Sequence, residues 1–559
     1  MKRPVSYQKI RGGYYTPKPI AEFLSKWAIR SIQDEVLEPS CGDGTILETA
    51  AEVLLSKGAS KKETIERIHG VEIDHEEAQK TYLRLCNLGL TVTNSTIYKG
   101  DFFLYCWTHL APERNLFSSH DANGRKFDAI IGNPPFIRYQ HFKEEHREIA
   151  FDLMKRLNLH PSRLTNAWVP FIAASTMLLK DDGRLAMVVP AELLQVGYTA
   201  ELRLFLSNMF KRITIFTFRR LLFPDIQQEV VLLCAEKNGH GPEGIDVIEL
   251  NGLEDLTLYN NNRYKQSVFK AIDHSTEKWT QYYLTPNEIE LIRELRKNER
   301  LQTLGNLASV DVGIVTGMNN FFVLTEDEKK RSSLDGFTRE IVTRSAHVGG
   351  LIFRELNRKT ITEQQLPSHL LCLPDVPFEE LPQRTQAYVK KGEAEGWNTG
   401  YKCRIRKRWY IVPSLWVPDA FMLRQIYRYP KIVLNQTTAT CTDTIHRIKF
   451  HNGVKGEQLT AAFINSLTFA FSEIVGRSYG GGVLELEPRE AERLPIPYEH
   501  ATSLNLEEID RLLLSENIDA VLNITDKLLL QERMGLSKKE VMALRQIWKK
   551  LTDRRIERK

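Results

Sequence analysis

The chain carries too little sulfur, and too scattered, to build a covalent or metal-braced scaffold. Its seven cysteines are odd in number, with no Cys-x-x-Cys pair and no His/Cys cluster. That excludes a disulfide framework and a structural zinc site, leaves no metal expected, and suits a reducing cytoplasm. No apolar run reaches the roughly 18 residues that span a bilayer, and no secretory leader is visible, so no membrane partner is expected. There is no internal repeat and no low-complexity tract. A GxGxxG turn and a Walker Gly-Lys-Ser/Thr are both missing, which removes the dinucleotide fingerprint and the P-loop. Neither sign of charge dominates: a net charge of +5 over 559 residues is compatible with nucleic acid and does not by itself argue for it.

A chain of 559 residues exceeds what one core organises, and its length predicts about three or four domains. The most informative stretch is Gly132-Asn133-Pro134-Pro135-Phe136. It follows Phe127-Asp128-Ala129-Ile130-Ile131, a short apolar run that reads as a buried strand. Two successive prolines fix φ and extend the residue before each. The Asn133 side chain and the Asn133 and Pro134 carbonyls thereby become pre-aimed acceptors beside the Phe136 ring. Acceptors converging next to a ring suit a planar group carrying an NH2, a nucleobase or an amide.

Upstream, Arg11-Gly12-Gly13-Tyr14-Tyr15-Thr16-Pro17 leads into Ile20, Phe23, Leu24, Trp27 and Ala28 at helical spacing. Thr16 is expected as the N-cap, with Pro17 at the first helical position. Val36-Leu37-Glu38-Pro39-Ser40-Cys41-Gly42-Asp43-Gly44-Thr45 reads as a strand, a glycine turn and a helix from about Thr45 through Leu54. This is the opening of a Rossmann-like unit. A second strand, Ile68-His69-Gly70-Val71-Glu72-Ile73-Asp74, ends in acids placed to grip ribose hydroxyls. Ile97-Tyr98-Lys99-Gly100-Asp101-Phe102 gives a third tip, where Asp101 can accept from an adenine amino group and Phe102 can pack on its ring. Four strand tips in series describe a pocket for an adenosine-bearing cofactor beside a second planar substrate.

At this point the chain resembles a known family, the amino-methylating DNA methyltransferases in the γ order of motifs. The pattern is similar to adenine-specific enzymes of type II restriction–modification systems, TaqI-like and BsuBI/PstI-like, the latter in Asn133-Pro134-Pro135-Phe136-Ile137-Arg138-Tyr139-Gln140. The resemblance implies a mixed seven-stranded class I methyltransferase sheet and S-adenosylmethionine as cofactor. It implies contacts to that cofactor from Tyr15, Thr16, Glu38, Pro39, Cys41, Gly42, Gly44, Glu72, Ile73, Asp101, Phe102, Asn133 and Phe171, the last in Asn166-Ala167-Trp168-Val169-Pro170-Phe171. It implies catalysis by Asn133, Pro134, Pro135 and Phe136, with Phe223 of Leu222-Phe223-Pro224 as the second ring around a flipped base. Cys41, within the cofactor turn, is not expected as a nucleophile. The partner implied is double-stranded DNA, with a separately encoded restriction endonuclease, in a bacterial or archaeal cytoplasm, acting as a monomer. The same turn also accommodates the amino group of cytosine, an RNA base, or a protein glutamine. A methylation or specificity subunit of a phage-defence system that depends on a partner is a further alternative.

The expected organisation is a catalytic domain over 1–245, a linker or insertion over 246–290, an α+β target-recognition domain over 291–500 and a helical tail over 501–559. Leu178–Pro190 reads as helix, glycine turn and strand, and Ile213–Thr217 and Glu229–Cys234 as an antiparallel pair. Arg138 and Tyr139, in a loop of cations, rings and amides, are expected to face DNA. In the second half, Tyr401-Lys402-Cys403-Arg404-Ile405-Arg406-Lys407-Arg408-Trp409-Tyr410 is the most basic stretch. Read as a strand or hairpin, it would offer Lys402, Arg404, Arg406 and Arg408 to phosphates and guanine edges. Tyr479-Gly480-Gly481-Gly482-Val483 reads as a flexible turn, and the basic end of the tail as a solvated terminus.

Overall fold

A computed structural model describes residues 15–93, 96–110, 124–220, 222, 229–239, 241–260, 268–479 and 481–558. Phe223, Pro224, Gly480 and the Arg11–Tyr14 part of the first motif lie outside the described residues. The chain forms two compact units, one of Met1–Pro286 with Arg558–Lys559 and the other of Asn287–Glu557.

The first unit is built on an eight-stranded sheet. Its strands are β1 (Val36–Glu38), β2 (Ile68–Glu72), β3 (Ile97–Lys99), β4 (Phe127–Gly132), β5 (Leu179–Pro190), β6 (Arg212–Phe218), β7 (Val230–Glu236) and β8 (Gly244–Leu250). They lie in the order β3-β2-β1-β4-β5-β7-β6-β8. The first five strands run parallel, and β7 is antiparallel to both β5 and β6. Helices α1 (Lys18–Ala28), α2 (Thr45–Ser56), α3 (His75–Asn87), α4 (Phe102–Leu110), α5 (Glu144–Arg156) and α6 (Trp168–Leu178) connect or cover the parallel half. The central strands are buried on both faces, which is why they read as near-continuous apolar runs. On α1, Ile20, Phe23, Leu24 and Ala28 fall on one face and are buried. Phe23 meets Phe216 of β6 edge to face at 5.0 Å. Ile20, Phe23 and Leu24 each contribute about 1.5–3 kcal/mol on burial.

Two expectations need correction here. The sheet has eight strands, because Gly244–Leu250 pairs in parallel with β6 along its full length. The 246–290 segment is therefore no linker at its start. It completes the sheet, then forms the helix Glu254–Asn260 and the 3-10 turn Trp279–Tyr283, whose Trp279 and Tyr282 are buried. Its polar composition hid a short edge strand.

The second unit is α+β. A five-stranded sheet takes, in order, Ala308–Val312, Ile445–Phe450, Ala420–Leu423, Ile432–Asn435 and Ile352–Phe353. A four-stranded sheet includes Thr338–Val342 and His369–Leu371. Arg477–Tyr479 pairs with Val483–Glu485 across the glycine turn, where Gly481 and Gly482 have φ of 84° and 74°. The helices of 506–556 belong to this unit and form no separate tail. Arg555 of the helix Lys538–Ile556 is buried against Glu473 of Ser466–Val475 at 2.8 Å. Among the described residues, no helix is long and apolar enough to cross a membrane.

Candidate active site

Parallel pairing of β3, β2, β1 and β4 sets their carboxyl ends side by side on one sheet edge, where open α/β sheets bind ligands. The turn after β1 is anchored to β2 by Cys41 N–H donating to the Val71 carbonyl at 2.9 Å. Gly44 donates to the Cys41 carbonyl at 2.8 Å and starts α2 with φ of 83°. A Cβ on Gly44 would lie 2.8 Å from Thr81 Cα, so the turn presses directly on α3. Thr81 Oγ1 donates to the Gly42 carbonyl at 2.7 Å. Asp43 caps α2 by accepting from Thr45 N–H, and Arg84 ties Asp43 and Glu48 at 2.7 and 3.0 Å.

Three carboxylates converge on this turn. Glu72 accepts Gly42 N–H at Oε2 and Asp74 N–H at Oε1, both at 2.8 Å. Glu38, at the tip of β1, is 3% exposed, and its Oε2 is buried without a hydrogen-bond partner among the described residues. Burial pushes the Glu38 carboxyl well above the usual carboxylate range, and the charges of Asp43 and Glu72 push it further, against one backbone hydrogen bond at Leu47. A buried acid with one unpartnered oxygen, flanked by two acids, is the environment a cationic ligand group relieves. The Cys41 thiol is also held well above its ordinary value by burial and by Glu38 and Glu72, which disfavours a thiolate nucleophile. Pro39 packs beneath the neighbouring strand, its Cδ 3.1 Å from where a Cβ on Gly132 would stand. Ile73, just past β2, leaves 54% of its surface exposed at the rim.

On β4, Asn133 follows Gly132 directly. Asn133 Nδ2 donates to Thr16 Oγ1 at 3.2 Å, and Ser40 Oγ donates to the Asn133 carbonyl at 3.4 Å. Thr16 is thus not the N-cap expected for it. Pro17 holds that position, its carbonyl accepting from Ile20 and Ala21, and the Thr16 hydroxyl is turned toward Asn133 instead. Tyr15 is pinned to α3 through Glu77 and Lys80. Pro134 is buried, Pro135 is half-buried, and Phe136 packs partly buried against the main core.

The third strand tip gathers the rings expected there. Phe102 stacks on Phe171 at 5.0 Å and 12°, and Phe103 meets Phe171 edge-on at 4.7 Å. Asp101 accepts Leu104 N–H at 2.9 Å, and its other oxygen lies 2.9 Å from His146 Nδ1 on α5. The segment after the Pro-Pro turn is held from two sides. Ala167 N–H donates to the Ile137 carbonyl at 2.9 Å, and Tyr139 N–H to Asn166 Oδ1 at 3.2 Å. Asn166 Nδ2 donates to the Tyr198 hydroxyl at 3.0 Å, and that hydroxyl donates to Glu192. The Tyr139 ring is taken up by Phe151 and by Arg147, whose guanidinium lies 4.7 Å away, whereas Arg138 is exposed. Thr81, Arg84, His146, Asn166 and Tyr198 were missed in the sequence. Thr81 and Arg84 were legible as an i, i+3 pair on one helix face; His146 and Tyr198 carried no local signal.

In the second unit the basic stretch is a short helix, Tyr401–Arg404, followed by irregular chain, and is neither strand nor hairpin. Lys402 and Arg404 are exposed, with Tyr401 and Ile405 exposed beside them. Arg406 donates to the Val315 carbonyl at 2.7 Å and lies over Phe322, and Arg408 pairs with Asp375 at 2.5 Å. The two halves of the predicted phosphate-binding set therefore do different things.

Residues 66–222 match the family model described as Eco57I restriction-modification methylase, and residues 276–530 match that of the Type II methyltransferase M.Eco57I C-terminal domain. The Type II methyltransferase M.AccI of Acinetobacter calcoaceticus is 23% identical over 517 residues, covering 87% of this chain and 85% of its own. The Type II methyltransferase M.XamI of Xanthomonas campestris pv. amaranthicola is 22% identical over 507 residues, covering 88% and 86%. Among solved structures, the Type IIL restriction-modification enzyme MmeI in complex with DNA aligns with a TM-score of 0.54 at 14% identity, over 97% of this chain and 72% of that one, a likeness of fold. The class I Rossmann-like architecture expected from the sequence is the one observed, with one strand more.

Proposed function

We propose that this chain, which belongs to the type II restriction–modification methyltransferase family, transfers a methyl group from S-adenosylmethionine to the exocyclic amino nitrogen of adenine in duplex DNA, protecting host DNA from a cognate endonuclease. The observation that carries the reading is the placement of Glu38 and Asn133 on the adjacent tips of β1 and β4. One is a buried acid whose Oε2 has no hydrogen-bond partner among the described residues, suited to a cation. The other is an amide whose NH2 end is given to Thr16, which turns its oxygen end into an acceptor.

The residues present fit the cofactor. Glu38 and the Gly42–Gly44 turn would hold its methionine end, Glu72 its ribose, and Asp101 with Phe102, Phe171 and Ile73 its adenine. When bound, S-adenosylmethionine supplies an electrophilic methyl group on a sulfonium. An adenine amine is a poor nucleophile because its lone pair is delocalised into the ring. Asn133 Oδ1 and the Pro134 carbonyl accept its two N–H bonds, which favours a pyramidal nitrogen with its lone pair directed away from them. As positive charge develops on that nitrogen, the same acceptors stabilise it, and their fixed positions supply the orientation. The amino proton then leaves to solvent; no thiolate and no dedicated base is called on. The target base is flipped out of the duplex and rests on Phe136, with Phe223 as the opposite ring. The second unit reads the recognition sequence, with Lys402 and Arg404 on phosphates, and the choice of adenine is supported by the resemblance of the motif order to that of adenine-specific enzymes.

The test is mass spectrometry of nucleosides from DNA incubated with the chain and methyl-labelled S-adenosylmethionine. Label in N6-methyladenine is expected. Asn133→Ala should lower turnover by at least about a thousandfold while cofactor affinity changes by less than about threefold. Label in N4-methylcytosine, or an Asn133→Ala chain that no longer binds cofactor, overturns the assignment.

A further inference from the structure

Asp101 is held at both carboxylate oxygens. Oδ1 accepts the Leu104 N–H at 2.9 Å and so caps the start of α4. Oδ2 lies 2.9 Å from Nδ1 of His146, whose side chain is 23% exposed against 14% for Asp101. The ring's other nitrogen, Nε2, lies 3.5 Å from Glu145. A helix cap alone fixes one oxygen of a carboxylate and leaves its plane free to turn. A ring nitrogen 2.9 Å from the other oxygen restrains the plane as well, and with it the directions of the remaining lone pairs. His146 comes from α5, the helix that follows the Pro-Pro turn within a dozen residues, so this contact does not belong to the strand tip it orients.

We propose that His146 is the positioning residue for purine recognition: it sets the Asp101 carboxylate so that one lone pair accepts from the 6-amino group of the cofactor's adenine. The inference rests on the reading of this edge as the S-adenosylmethionine site and deepens it. A carboxylate aimed at a 6-amino donor rejects a 6-oxo purine, whose oxygen would face it as a second acceptor. A carboxylate free to turn discriminates less, because a water or a rotated oxygen relieves the clash. His146 should therefore govern the choice between purines more than the affinity for the rest of the ligand.

The experiment is calorimetry on the full chain with two probes, S-adenosylhomocysteine and S-inosylhomocysteine, which differ at the 6-position. Wild type should prefer the adenosyl probe strongly. H146A should lose about tenfold on S-adenosylhomocysteine and less than about twofold on S-inosylhomocysteine. H146N, which keeps a side-chain N–H near the place of Nδ1, should restore most of the preference and guards against a folding effect in H146A. Equal loss on both probes in H146A and H146N alike, or an unchanged preference in both, overturns the inference. A wild-type chain that binds neither probe overturns the reading of the site itself, and that outcome is distinct from the other two.

Discussion

Burial beside two other acids pushes a carboxyl above its ordinary range, and Glu38 is in that position. In the ligand-free protein its raised value means that the folded state holds a proton the unfolded chain gives up above the ordinary carboxylate range. Glu38 therefore weakens folding increasingly as pH rises above about 4.5. A cation at the site reverses this by favouring the ionised form. S-adenosylmethionine binding near pH 7 should then release up to about one proton, measurable as a dependence of calorimetric enthalpy on buffer ionisation. Glu38→Gln should abolish that release, weaken cofactor binding about 30–100-fold and raise the melting temperature of the ligand-free chain. Unchanged proton release in Glu38→Gln would assign the proton to another group. At this scale the sequence was readable where a residue type stands at the end of a strand: Glu72, Asp101 and Asn133 were placed by that logic, and Glu38 by the family resemblance. It was not legible where a side chain from elsewhere completes the site, as His146 does for Asp101 and Thr16 for Asn133.

The same limit shapes the elements. Strands β1, β2 and β4 and helix α2 were readable, because buried parallel strands are short apolar runs and the turn between β1 and α2 needs glycines at positive φ. The Tyr401–Tyr410 stretch was not readable, because its alternating cations satisfy a strand pattern while Cys403, buried, and Tyr401 and Ile405, exposed, obey a helical one. The consequence is testable. Lys402→Ala and Arg404→Ala should each weaken DNA binding across sequences, lower the salt slope by about one and leave melting unchanged. Arg406→Ala removes the donor to Val315 and should lower the melting temperature by a few degrees. Binding isotherms against salt, with thermal melts of the same variants, separate the two groups; a melt shift in Lys402→Ala or none in Arg406→Ala would contradict the division.

At the scale of the whole molecule, the division into an α/β unit and an α+β unit followed from the polar stretch of poor periodicity near 240–290, but the boundaries moved. The first unit extends to Pro286 because β8 completes its sheet. The C-terminal helices are integral to the second unit because Arg555, fully buried, donates to Glu473 and to the Gly482 and Tyr427 carbonyls. Neither feature has a periodicity; one is a short polar-flanked strand, the other a single buried ion pair. Removing one partner strands the other charge in the interior, so Arg555→Ala should cost about 3–5 kcal/mol, and denaturant unfolding should show it as an earlier transition. A cost under about 1 kcal/mol would mean the helix is held by its apolar face alone. Methylation of DNA is a property of the whole chain. Its most direct test is modification-sensitive sequencing of the genome of a methylation-free bacterial host expressing the wild-type chain, with Asn133→Ala expressed in parallel. The account predicts one short motif carrying methyladenine at nearly every occurrence in the first genome and none in the second. An unmodified wild-type genome, from a soluble chain that still binds S-adenosylmethionine, would contradict it.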